Sequence, residues 1–371
     1  MRKYIKLSAY LNQNLGDDLM VEILLKRYPD IIFFYDEPHH PCGGSTFTQY
    51  PNFFNIEKLY MKWQRKWGAI NHFFNMITLS YKRDLLYKLF LRCLRKQYIA
   101  SVYIGGSLFQ QHVNAPEHDF EKLRYRPLFI IGANFGPYTD EEFYQSYCAF
   151  FRECKSVCFR DQKSYSLFSE LNNVRWAPDV VFNLPVASQK RHGKRIIISL
   201  INPDNRSYME GCALSYENFL GNFCTVASNK GYTPVLTSFC CNEGDEAEIV
   251  RIWERLSPAV QSRTERFAYH TPDNLDALFS GACFVLATRF HAMILALLYE
   301  LPFFSIAYNE KCTNVLNDLH IKSWCSLDML SSLDAETVLE MDRRVIDINS
   351  CIASAPKQFE DLDRFLNRQK S

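Results

Sequence analysis

Short apolar runs alternate along this chain with stretches in which apolar positions recur every three or four residues, and Gly-, Asn- and Pro-bearing loops separate the two. Such alternation reads as strand followed by helix, and it predicts α/β layers built on parallel sheets. In the first half the pattern predicts strands over 4–10, 31–35, 101–104, 128–131 and 156–159, with helices over 18–28, 141–154 and 164–171. A polar, aperiodic stretch over 185–194 reads as a linker. Beyond it, strands are predicted over 195–200, 233–239, 283–288 and 303–307, and helices over 216–230, 247–256 and 290–299. The tail, 356–369, is helical in pattern and free to pack on either half. No repeat of 20–50 residues is visible. The architecture expected is α/β, two Rossmann-like domains facing a cleft, over residues 1–185 and 186–345, with a helical tail over 346–371.

Three first-half strands run straight into loops suited to a ligand: Asn14-Leu15-Gly16-Asp17-Asp18, Gly105-Gly106-Ser107 and Gly132-Ala133-Asn134-Phe135-Gly136-Pro137. In an open parallel sheet such loops gather at the carboxyl edge, where ligands bind. Their glycines let the backbone come close to whatever binds. None of the three is a dinucleotide fingerprint or a P-loop.

Composition narrows the function classes. The chain has 371 residues, enough for two cores, and a hydrophobic fraction of 47% supports a fully globular protein. A net charge of +1 gives no global field for nucleic acid. The thirteen cysteines lack CxxC spacing and never cluster with histidine at ligand distances, so they read as reduced, mostly buried residues rather than zinc ligands. The start carries no apolar leader, and no apolar run reaches 18 residues, so a cytoplasmic chain without a spanning helix is expected. One segment departs from neutrality. Between Lys58 and Lys96 ten basic residues stand against one acid, Asp84, with Trp63, Trp67 and Tyr81 among the interleaved aromatics. It reads as a helical insertion over 55–98 with a basic face, either solvated or peripheral to an anionic membrane, with no nucleic acid partner expected.

The chemistry concentrates where apolar strands meet helix starts. The strand over 283–288 leads into Arg289-Phe290-His291, just ahead of an apolar helix. Unpaired N–H groups and the dipole at a helix start favour phosphate or carboxylate, and arginine adds a planar fork matched to them. Histidine exchanges a proton near neutrality. Arg160-Asp161 repeats this context after the strand over 156–159, and Lys311, just past 303–307, reads either as a third cation at the cleft or as a solvent-exposed lysine. Of Asp17 and Asp18, one is expected to cap the first helix and the other to orient or deprotonate a hydroxyl.

In order along the chain, Asn14 to Asp18, Gly105-Gly106-Ser107, Gly132 to Pro137, Arg160-Asp161 with Ser164, Pro178-Asp179, Arg289-Phe290-His291-Ala292, Pro302 and Tyr308 to Lys311 resemble the polysaccharide pyruvyl transferases. The likeness runs over roughly residues 8–315. It departs mildly at Asp18, where that family often carries Glu. The resemblance implies a fold similar to the GT-B glycosyltransferases, phosphoenolpyruvate as donor, and a pyruvyl group moved onto two hydroxyls of one sugar as a cyclic ketal, with no metal or organic cofactor. It makes His291 the acid that protonates the donor's methylene carbon, with Asp17 or Asp18 acting on the acceptor. Arg160, Arg289 and Lys311 bind the anionic groups, and Asn14, Gly16, Gly105, Gly106, Ser107, Asn134 and Phe290 complete the substrate-binding set. In such pathways the acceptor is commonly a lipid-linked capsule or exopolysaccharide repeat at the inner face of the plasma membrane. The rival readings are a nucleotide-sugar glycosyltransferase on the same architecture and a non-catalytic binding protein.

Overall fold

Strands that read as uninterrupted apolar runs become the buried centres of two sheets, as parallel strands covered on both faces require. The structure is a computed structural model and describes residues 3–35, 47, 49–55, 98–111, 116–123, 127–186, 193–204, 206, 209–272, 275–341 and 345–369. The basic aromatic segment 58–96 and most of the expected linker lie outside these residues.

The first sheet contains β1 (Lys3–Ala9), β2 (Ile31–Tyr35), β3 (Phe53–Asn55), β4 (Tyr98–Ile104), β5 (Leu128–Ala133), β6 (Ser156–Phe159) and β7 (Val174–Trp176). They pair in parallel in the order β3-β2-β1-β4-β5-β6-β7. The second contains β8 (Arg195–Ser199), β9 (Thr233–Ser238), β10 (Glu265–Ala268), β11 (Ala282–Ala287), β12 (Phe303–Ala307) and β13 (Trp324–Ser326), again all parallel, in the order β10-β9-β8-β11-β12-β13. Sequence pattern missed β3, β7, β10 and β13. Each is three or four residues long and lies at a sheet edge, too short to show a period.

The helices that place the site are α1 (Leu15–Arg27), α2 (Glu141–Glu153), α3 (Gln162–Leu167), α4 (Ala213–Asn229), α5 (Asp245–Arg255), α6 (Phe290–Leu298), α7 (Glu310–Asp318) and α8 (Glu360–Arg368). Helices α1 and α6 are buried almost all round and pack against each other, one from each half. Their contact makes one apolar core continuous across both halves. A second core, under α2, is aromatic: Phe109, Phe135, Tyr147, Phe151 and Phe168 meet edge to face. Most of the described aromatic residues are thus packing residues.

Hydrogen bonds also join the halves. The Leu15 N–H donates to the Phe239 carbonyl at 2.9 Å, Asn14 and Cys240 form an antiparallel bridge, and Asn242 Nδ2 donates to the Asn12 carbonyl at 2.8 Å. The tail returns to the first sheet. Phe359, Leu362 and Leu366 are buried there, Arg27 pairs with Asp363, and Arg175 pairs with Asp361. Among the described residues the cysteines form no disulfide, and no helix is long and apolar enough to cross a membrane.

Candidate active site

In each sheet the winding reverses once, between β1 and β4 in the first and between β8 and β11 in the second. A reversal leaves a crevice at the carboxyl ends of the two strands, because their connections depart to opposite sides. The loops after β1 and β4 carry Asn14 to Asp17 and Gly105 to Ser107, and the turn after β11 carries Thr288 to His291. The two crevices face each other.

Helix α1 starts at Leu15 because Asn14 caps it, its Oδ1 accepting the Gly16 N–H at 3.1 Å. That leaves Gly16 at the first turn, where His291 lies against it. A Cβ built on Gly16 would fall 1.6 Å from His291 Nδ1, so only glycine admits the ring. Nε2 of His291 is buried without a hydrogen-bond partner, and 3.7 Å away stands Asp179 Oδ2. That separation is an ion-pair distance, longer than a hydrogen bond.

Asp179 joins His291 to Arg160. Its Oδ2 accepts from Arg160 Nη1 at 3.0 Å, and its Oδ1 accepts the Val181 N–H at 2.8 Å. Arg160 Nη2 donates to Asn134 Oδ1 at 2.7 Å, and the guanidinium lies 4.2 Å from the Phe290 ring centre. On its other side is Gly106, where a Cβ would meet the guanidinium nitrogens at 2.5 Å. Burial alone would raise the Asp179 carboxyl, but His291 and Arg160 outweigh it and hold it at about 2.

Asp17 and Asp18 part company. Asp17 faces the crevice, accepting the Gly106 N–H at 3.3 Å. Burial raises its carboxyl above the ordinary range, against the pull of His291, Arg160 and Lys311. Asp18 turns the other way, 1% exposed, and accepts the Tyr269 hydroxyl of the second half at 2.9 Å. Burial pushes it up to about 7. The expectation that Asp18 acts on an acceptor is corrected here: its oxygen is walled off, and Asn14 supplies the cap.

Arg289 is the other correction. It does stand at the N-terminus of α6, its amide donating to Ser199 Oγ at 3.0 Å. Its guanidinium, however, forks onto Asp245, with Nε to Oδ2 at 2.9 Å and Nη2 to Oδ1, and Nη1 reaches Glu243 at 2.5 Å. Two carboxylates of its own half already match the fork, so it acts as framework rather than as an open anion grip. Arg206 pairs with the same Glu243, and the two arginines overcome burial to hold that carboxyl at about 2.

Lys311 Nζ donates to Ser107 Oγ at 3.2 Å across the halves. Asp161 caps α3 through the Ser164 N–H at 2.9 Å and receives Asn314 Nδ2 at 3.3 Å from the second half. His291, Asp17, Arg160, Lys311, Gly16, Gly106, Ser107, Asn134 and Phe290 therefore assemble in one place, and Gly105 adjoins Asp17, a Cβ built on it falling 3.5 Å from Oδ1. Sequence reasoning assigned no chemistry to Asp179, Glu243 or Asp245. All three sit just beyond strands, the position that singled out the glycine loops.

Comparisons with known proteins agree with this frame. The family model for polysaccharide pyruvyl transferase matches residues 14–310. The amylovoran biosynthesis protein AmsJ of Erwinia amylovora is 20% identical over 273 residues, a match covering 67% of this chain and 65% of that protein, so the chain spans just under two thirds of that relative's length. Among solved structures, Anabaena Alr3699/HepE in complex with UDP and glucose superposes with a TM-score of 0.55 at 9% identity, over 100% of this chain and 99% of that one. The UDP-GlcNAc 2-epimerase of Methanocaldococcus jannaschii, in complex with UDP-GlcNAc and UDP, gives 0.55 at 8% identity, over 98% and 100%. At such identities the likeness is one of fold, the GT-B arrangement of two facing α/β halves.

Proposed function

This chain belongs to the polysaccharide pyruvyl transferase family, and we propose that it moves the pyruvyl group of phosphoenolpyruvate onto two hydroxyls of one sugar in a glycan repeat unit, closing a cyclic ketal and releasing phosphate. The observation that supports this reading most is the setting of His291: a buried Nε2 with no hydrogen-bond partner, 3.7 Å from Asp179 and laid against the glycine before Asp17. Imidazole is the side chain most often used for general acid–base steps, and the Asp179 carboxylate stands beside its Nε2. Arg160, bonded to Asp179, and Lys311, bonded to Ser107, both act on Asp17 and are suited to the phosphate and carboxylate of the donor.

In this scheme His291 gives its proton to the methylene carbon of the donor, leaving an oxocarbenium-like centre at the neighbouring carbon. A first sugar hydroxyl attacks that centre and loses its proton to Asp17, whose raised carboxyl suits it to exchanging protons. The bond from that carbon to the phosphate oxygen then breaks. A second hydroxyl of the same sugar closes the ring, and its proton leaves with phosphate.

The test is incubation with phosphoenolpyruvate and a panel of glycosides, following the pyruvate adduct by mass and phosphate release in parallel. Equal yields of ketal and phosphate are expected. His291→Ala should abolish both with the circular dichroism spectrum unchanged, and retained turnover would sink the assignment. Thermal stabilisation by a nucleotide sugar but not by phosphoenolpyruvate would favour the glycosyltransferase reading instead.

A further inference from the structure

Gln358, in the returning tail, is 1% exposed and lies beneath the carboxyl edge of the first sheet. Its Oε1 accepts the Gly132 N–H at 3.0 Å. Its Nε2 faces three carbonyls, those of Phe159 at 3.2 Å, Ala177 at 2.7 Å and Pro178 at 3.1 Å. Reversing the amide would set an oxygen against three oxygens, so the orientation is fixed by its surroundings. These four groups occur where the strand ladders run out. The β5–β6 register shifts between Ile131 and Ala133, beside Gly132.

The same groups flank the crevice residues. Phe159 precedes Arg160, Pro178 precedes Asp179, and Gly132 stands two residues before Asn134. Those three side chains bond to one another, Arg160 bridging Asn134 and Asp179, and Asp179 faces His291. Gln358 is itself held, its carbonyl accepting from Arg175 Nη2 at 3.3 Å beside the fully buried Phe359.

We propose that Gln358 is a positioning residue for the crevice. One amide from the C-terminal segment registers the ends of β5, β6 and the 177–178 loop, so that Asn134, Arg160 and Asp179 meet in front of His291. The structural part of this inference stands on its own, and only its kinetic arm rests on the pyruvyl-transfer reading.

Amide hydrogen exchange on the full chain, read by NMR and mass spectrometry, tests it. In the wild-type protein the Gly132 amide should exchange as slowly as its β5 neighbours, and exchange as fast as an open loop would overturn the inference whether or not any variant folds. In Gln358→Leu, exchange should quicken by about tenfold or more over 130–135, 158–161 and 177–182, leaving 195–199 and 282–287 unchanged. Equal acceleration in both sheets would reduce Gln358 to general packing and defeat the proposal. The kcat for pyruvyl transfer should fall by about tenfold or more, whereas Asp363→Asn, which loosens the same tail away from the crevice, should leave it unchanged. Equal losses in the two variants would count against Gln358. A wild-type chain inactive with phosphoenolpyruvate would refute the proposed reaction while leaving the exchange results readable.

Discussion

Arg160 and Arg289 come one from each half, each just beyond a strand and ahead of a helix, yet their surroundings differ. Arg289 is closed by two carboxylates of its own half, Asp245 and Glu243. Arg160 has one, Asp179, which it shares with a histidine from the other half, and its remaining listener is the neutral amide of Asn134. Charge is balanced around Arg289, whereas around Arg160 it depends on His291, Lys311 and whatever enters the crevice. A shared strand-to-helix context therefore does not mean equivalent work. The ratio of carboxylates to guanidinium separates framework from reactive surface.

Exchanging each arginine for lysine should separate the two most visibly. Arg160→Lys keeps the charge but cannot hold Asn134 and Asp179 in one plane, so kcat for pyruvyl transfer should drop by about 100-fold with only a small change in melting temperature. Arg289→Lys leaves one buried carboxylate poorly matched and should cost about 3 kcal/mol of stability, with turnover per folded molecule largely kept. Paired melting curves and steady-state kinetics decide the matter. An Arg289→Lys protein of normal stability and no activity would restore Arg289 to the binding role first expected of it.

The two buried aspartates sharpen the contrast through pH. Asp18 titrates at about 7 in the fold and at about 3.9 in the unfolded chain. Its contribution to stability is thus fully present below about pH 4 and is lost as pH rises through 7, by up to roughly 4 kcal/mol. Asp179, held at about 2, runs the other way: its contribution is present above about pH 4 and is lost as pH falls through 2. Asp18→Asn, which still accepts the Tyr269 hydroxyl, should raise the melting temperature at pH 8 and barely alter it at pH 4. An equal shift at both values would show that Asp18 does not titrate as described.

The smallest effect belongs to the surface. Lys163 and Glu310 pair across the halves at 2.7 Å with side chains 52% and 60% exposed. Lys163→Ala should cost no more than about 0.5 kcal/mol and leave kinetics unchanged. A larger loss in denaturant titration would mean that the halves depend on their rim as well as on the α1–α6 core.

Much of the fold was legible because long apolar runs and the glycine loops that follow them are local signals. The loops of Gly16, Gly106 and Asn134 and the turn of His291 all lie where strand-then-loop reasoning placed them. What escaped was set by distant partners. Asp18 and Asp17 are adjacent in sequence with the same residue type, and only Tyr269, 251 positions away, tells them apart. Arg289 looked open because Asp245, 44 residues earlier, reads as an ordinary helix-start acid. Asp179 stood in a recognised Pro-Asp pair but carried no local sign that its carboxylate would join two other side chains.

The main-chain seam formed by Leu15 with Phe239 and Asn14 with Cys240 acts like the spine of a book. Because both partners are backbone, truncating their side chains leaves these bonds in place, and the seam joins the α1–α6 contact and the Asp18–Tyr269 bond in holding the halves together. Gly16, two residues past Asn14, is thereby carried to the imidazole of the other half.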